Sequence, residues 1–160
     1  MRQYLSSIFR RWEAYLFQRR IGRALALQMR GEARKDGLTL HHVHAQLHVE
    51  WQARDVHPWD KALPAEGRAT LFVKQTFADT DAALMRLFRT VPSAEIISLR
   101  VLRPRTGDII MSGEVHRSSM ALRRPLSDRI WLGQLGVVFR LSGDYFEPLS
   151  ATRTDVSMTA

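Results

Sequence analysis

Apolar positions recur along the chain with two different periods, and the changes of period mark out its elements. In the first stretch, Tyr4, Leu5, Ile8, Phe9, Trp12, Tyr15 and Leu16 fall on one side of a helical wheel, with Arg2, Ser6, Ser7, Arg10 and Glu13 opposite. This spacing predicts an amphipathic N-terminal helix. From Phe17 onward the apolar positions Phe17, Ile21, Ala24 and Leu25 rotate to another side, so the helix bends or changes partner near Gly22. After the turn-like Lys35-Asp36-Gly37 the period drops to two. Val43, Ala45, Leu47, Val49 and Trp51 alternate with His42, His44, Gln46, His48 and Glu50, which predicts one long half-buried strand over residues 38–51.

Residues 55–64 contain two Pro and two Asp and read as a loop feeding a helix, with Pro64 near its first position. Val73, Phe77, Leu84, Leu87, Phe88 and Val91 line one stripe of that helix, and Pro92 stops it. Residues 95–103 alternate again, Pro104 to Asp108 is a compact reversal, and Ile109, Met111 and Val115 alternate with Ser112, Glu114 and His116, so this stretch is a β-hairpin. Pro125 opens a short helix that Gly136 caps, and Val137, Phe139 and Leu141 begin a last strand. In order these elements give strand, helix, strand, strand, helix, strand. That is the ferredoxin-like βαββαβ pattern of the α+β class, an antiparallel sheet with its helices on one face and its first and third strands side by side, preceded by the basic amphipathic helix. The domain organisation that follows is a helical arm over residues 1–36, the α+β domain over 37–149 and a polar tail over 150–160.

Charge sharpens this picture. Eight Arg and Lys35 in the first 35 residues face only Glu13 and Glu32, so seven of the eight net positive charges lie there, and the remaining 125 residues are near neutral. A basic helix with Trp12 on its apolar side and Arg10, Arg11, Arg19 and Arg20 among its charges suits an anionic membrane surface, where each basic residue contributes about 1 kcal/mol. The same apolar side also suits packing against its own domain, a second copy or a partner protein, and the charge suits nucleic acid. Arginines interrupt every apolar run near the N-terminus, so no secretory signal is expected, and no run approaches the roughly 20 residues of a membrane span. The expected location is the cytoplasm, with the arm able to place the chain peripherally at a membrane. The chain has no Cys, which excludes disulfides, thiol catalysis and Cys-ligated zinc or iron–sulfur centres.

The sheet's second face has no obvious cover and displays the chain's candidate chemistry. His42 and His44, two apart on a strand, point one way, and a neighbouring third strand brings Glu114 and His116 alongside. Three imidazoles and a carboxylate suit a divalent metal if their ligand atoms converge at about 2.0–2.1 Å. RNA recognition of the base-stacking kind is disfavoured, because the third strand reads Ile-Ile-Met-Ser-Gly-Glu-Val-His and holds no aromatic to stack a base on. His42-Val43-His44 resembles the histidine-hydrophobic-histidine motif of HUH endonucleases. The resemblance covers these three residues and implies a metal and a Tyr nucleophile, for which Tyr145 is the candidate, although Tyr145 lies in a Gly-Asp-Tyr-Phe turn rather than on a helix. Trp59, set among turn-formers and acids, reads as an anchor into the core or into a partner's pocket.

No phosphate loop, dinucleotide fingerprint or paired nucleophile and base is present at a readable spacing. The expectation is therefore a non-catalytic interaction or assembly module without a cofactor, acting through its N-terminal helix, Trp12, the arginines and Trp59. Its partner is a protein or a further copy of the chain, an anionic membrane surface or a nucleic acid. The competing expectation is a metal-dependent nucleic-acid-processing enzyme using His42, His44, His116 and Glu114.

Overall fold

The computed structural model describes residues 39–43, 45–57, 60, 62–121 and 126–149, the first of these segments at the level of the backbone. The predicted N-terminal helix with Trp12 and its arginines, His44, Trp59 and the polar tail lie outside the described residues. The elements are β1 (Thr39–Val43), β2 (Gln46–Gln52), α1 (Ala65–Thr90), β3 (Ile96–Leu102), β4 (Ile109–His116), α2 (Arg117–Met120), α3 (Asp128–Gln134), β5 (Val137–Ser142) and β6 (Tyr145–Glu147). The strands follow one another across the sheet in chain order, from β1 to β6. The pairs are antiparallel except β2 with β3, which are parallel. The chain is thus an α+β protein built on a mixed sheet.

This order replaces the ferredoxin-like interleaving expected from the element sequence. The predicted long strand is interrupted between Val43 and Gln46 and pairs with itself, so that β1 occupies one edge of β2, with Thr39 opposite Glu50 and Val43 opposite Gln46. Only the other edge of β2 is then free, and the α1 crossover delivers β3 to it, Gln46 aligning with Ile96 and Gln52 with Leu102. The first and third predicted strands are therefore separated by the second. The β3–β4 hairpin forms as expected, through a turn in which Arg103 N–H donates to Asp108 O at 2.7 Å. A register shift between Val101 and Leu102 marks its turn end.

Alternation on β2 and β3 places Leu47, Val49, Trp51, Ile97, Leu99 and Val101 on one face, each at most 3% exposed. Against that face lie Phe77, Leu84, Leu87 and Phe88 of α1 and Trp131 and Leu132 of α3, all in one buried cluster. The stripe predicted for α1 is the stripe it buries, and the helix ends at Thr90 with Val91 as its C-cap, just before Pro92. Trp131 Nε1 donates to the buried Asp81 Oδ1 at 3.0 Å, so a hydrogen bond ties α3 to α1 inside the core. A buried carboxylate is tolerated there because it has that partner. Gly136, in the left-handed region at φ 93°, ends α3 and lets the chain enter β5.

At the far edge the sheet depends on a close backbone approach. A Cβ at Gly113 would meet Gly136 O at 2.5 Å and Val137 Cα at 2.9 Å, so only glycine lets β4 and β5 pair there. β5 stays with β4 only over Val137 to Phe139 and then turns back into β6. Phe146 of β6 is buried and stacks edge-on against Phe72 of α1, with ring centroids 6.1 Å apart.

The opposite end of α1 is held by one side chain. The Arg117 guanidinium donates to Phe88 O, to Val91 O at 2.8 Å and to Ala94 O at 2.9 Å, and lies 4.8 Å over the Phe88 ring. It satisfies the Phe88 carbonyl, whose i+4 residue is Pro92 and has no N–H, adds a second donor to Val91 O, which the Ala94 N–H also reaches at 3.1 Å, and puts a cation at the negative end of the helix dipole.

Candidate interaction face and adjoining cleft

Because alternation sends one set of side chains into the core, it sends the other to the opposite face of the sheet. Rows of register partners run across that face: Gln46, Ile96 and His116; then His48, Ser98 and Glu114; then Glu50, Arg100 and Ser112. All of these are half-buried or exposed. Their polar groups answer one another across strands. Gln46 Nε2 donates to Glu114 Oε1 at 3.1 Å, bridging over β3, and Arg100 Nη1 lies 3.9 Å from Glu50 Oε2. The polar sheet face read from the sequence is present, and Gln46, His48, Glu50, Ser98, Arg100, Ser112, Glu114 and His116 stand on it.

The structure brings together only part of the histidine site. Glu114 and His116 share one face of β4. His42 lies in β1 opposite Leu47 in the register, with β2 and β3 between it and β4, a separation of about 14 Å at roughly 4.8 Å per strand. Among the described residues, no three His, Asp or Glu side chains are placed to hold a metal ion. Tyr145, the residue a nicking chemistry would need, is in β6, at the opposite end of the strand order from the His42 strand. Among the described residues, no helix is long and apolar enough to cross a membrane.

A second feature carries no sequence motif. The C-terminal ends of the parallel strands β2 and β3, the first turns of α1 and the β5–β6 turn enclose an open cleft of about 620 Å³. Arg68 of α1 and Arg103 and Arg105 of the β3–β4 turn line it, over an apolar floor that includes Phe72, Tyr145 and Phe146. Arg103 is fixed by a hydrogen bond from Nη2 to Phe146 O, while its buried Nε has no hydrogen-bond acceptor and lies 3.9 Å from Asp108 Oδ2. Arg105, held in the left-handed region at φ 71°, donates to Asp55 Oδ2 at 2.9 Å. Asp55 also accepts the N–H of Val56, and Asp144, the other acid of the cleft, accepts from Thr70 Oγ1 at 2.7 Å. Both acids are thus engaged within the protein.

Sequence reasoning missed this cleft because its arginines come from two segments some 35 positions apart, joined only by the β2–α1–β3 crossover. The one available signal was position. Ligands of open α/β units bind beyond the carboxyl ends of parallel strands, and recognising β2 and β3 as a parallel pair would have pointed here. Just outside the cleft, burial raises the carboxyl pKa of Asp79 above its ordinary value, against the opposing hydrogen bond and charge of Arg54. Against known proteins, no family model, curated protein or solved structure matches the chain.

Proposed function

We propose that the chain is a non-catalytic interaction or assembly module. A basic amphipathic helix within residues 1–36 contacts an anionic surface, whether on a partner protein, on a second copy of the chain or on a membrane. The observation that carries this reading is the separation of charge: nine basic residues against two acidic in the first 35, followed by 125 residues that are close to neutral. A neutral α+β domain then serves as the body that the arm delivers. The polar sheet face supports the same reading, since its side chains are paired with one another across strands rather than gathered into a reactive cluster.

Two measurements on the full chain test it: flotation with vesicles of equimolar phosphatidylglycerol and phosphatidylcholine, and sedimentation velocity without lipid. Salt-sensitive flotation identifies a membrane as the surface. Self-association that disappears when Arg10, Arg11, Arg19 and Arg20 are changed to Glu identifies a second copy. A monomer that ignores the vesicles and is unchanged by the substitutions sinks the proposal.

A further inference from the structure

Resting on the proposal that the arm contacts an anionic surface, we infer that this surface is a lipid bilayer and that the outer side of α1 is a second point of attachment to it. At 3.6 residues per turn, Leu71, Ala78, Ala82 and Met85 fall on one stripe of α1, roughly opposite the Phe77, Leu84 and Leu87 side that fills the core. The stripe runs about 21 Å at 1.5 Å per residue and holds no acid. Ala78 is exposed and the other three are half-buried, and none of the four belongs to the buried core. Lys74 beside the stripe and Arg89 at its end are exposed. On α3, which packs on the same face of the sheet, exposed Arg129 and Ile130 again set a cation beside an apolar side chain, Ile130 being 53% exposed.

Charge selects what this side of the domain meets. The acids of the two helices lie off the stripe: Asp79 is held by Arg54, Asp81 is buried against Trp131, and Glu66 and Asp128 sit in the first turns. The arm carries the same sign as Lys74 and Arg89, and so does α1 of a second copy, so like charges oppose either as its cover. Nucleic acid would meet a strip of aliphatic side chains with no aromatic to stack on and no hydrogen-bond donor along its centre. A bilayer with anionic headgroups accommodates both parts, the aliphatic strip at the headgroup boundary and the cations among the phosphates. Because the arm and this side of α1 are both basic, one leaflet holds both, and each basic residue near it adds to the attraction.

The chain has no Cys, so a single one can carry a label. Full-length chains with Ala78→Cys, or with Val138→Cys opposite Ser112 on the open sheet face, are labelled with the environment-sensitive fluorophore NBD. Each is titrated with vesicles of equimolar phosphatidylglycerol and phosphatidylcholine, with phosphatidylcholine vesicles and with duplex DNA. The emission at position 78 is expected to shift to the blue and at least double with the phosphatidylglycerol vesicles, and to revert with salt, while position 138 stays as in water. Lys74→Glu together with Arg89→Glu should raise the lipid concentration needed for that change at least tenfold. Adding the Arg10, Arg11, Arg19 and Arg20→Glu changes separates the two proposals. A response at position 78 that persists in that chain keeps the α1 contact and removes the arm, whereas flotation of the parent with a silent position 78 keeps the arm and overturns the α1 contact. Equal responses at positions 78 and 138, a response to DNA in place of vesicles, or no response to any vesicle overturns it as well.

Discussion

Replacing Arg117 by Ala removes the one side chain that closes the C-terminal end of α1. The carbonyls of Phe88 and Ala94 lose their donor, that of Val91 keeps only the Ala94 N–H, and the Phe88 ring loses the cation above it. A hydrogen bond to a charged group contributes about 1.5–3 kcal/mol when water cannot replace it. The side chain is 32% exposed, so water reaches part of the vacated site and the three contacts do not add in full. A cation over an aromatic ring adds about 0.5–1 kcal/mol. The expected cost of Arg117→Ala is about 3 kcal/mol, a large share of the roughly 5–15 kcal/mol that stabilises a domain. Arg117→Lys should restore only about 1 kcal/mol of this, since an ammonium keeps the favourable charge at the helix end but cannot span three carbonyls. Urea unfolding of the three chains, followed by circular dichroism and by tryptophan fluorescence, measures both differences. An Ala variant within 1 kcal/mol of the parent, or a Lys variant equal to it, would refute the reasoning that the forked guanidinium is the cap.

Further expectations follow from the far edge of the sheet and from Asp79. Gly113→Ala sets a Cβ against the backbone of Gly136 and Val137, neither of which can swing aside, and should cost about 3 kcal/mol, lowering the melting temperature by roughly 12 °C. Gly133→Ala, inside α3 with nothing within 4 Å of the new Cβ, should instead stabilise by about 0.5–1 kcal/mol in the same melt. If the two substitutions behave alike, the close β4–β5 approach is not what holds that edge. Asp79 titrates above its ordinary value of 3.8 because burial outweighs the help of Arg54. The folded chain therefore holds this proton more tightly than the unfolded one, and the resulting stability is present in full below 3.8 and lost as pH rises through the folded value. Asp79→Asn removes that dependence, so the stability of the parent relative to the variant should fall from acid to neutral pH. A flat or rising difference in urea midpoints speaks against it.

What the sequence made legible was local. The stripe of Phe77, Leu84, Leu87 and Phe88 buries as its period demands, and the β3–β4 hairpin forms around Thr106-Gly107-Asp108, where Gly107 takes φ 74°. The reversal between Val43 and Gln46 was hidden because no Gly, Asn or Pro marks it and the apolar alternation runs on through it. Missing that reversal changed the sheet order. Period two reports which face a side chain takes, but not which neighbour a strand edge finds, and the β1 hairpin consumed the edge on which the expected interleaving depended. β6 escaped notice for a simpler reason, since of its three residues only Phe146 is buried. The polar sheet face was readable from alternation alone. The histidine cluster was not, because its convergence required β1 beside β4, and only the strand order decides that.

The arm's positive charge is the centre of the functional account, and vesicle flotation of the full chain beside its Arg10, Arg11, Arg19 and Arg20→Glu variant tests it most directly. The account predicts that the parent binds vesicles containing phosphatidylglycerol, or failing that a second copy of itself, and releases them as salt rises through the range where the screening length falls below about 8 Å. It predicts that the variant does neither. A variant that binds as the parent does, or a parent whose binding ignores salt, would contradict the claim that this charge makes the contact.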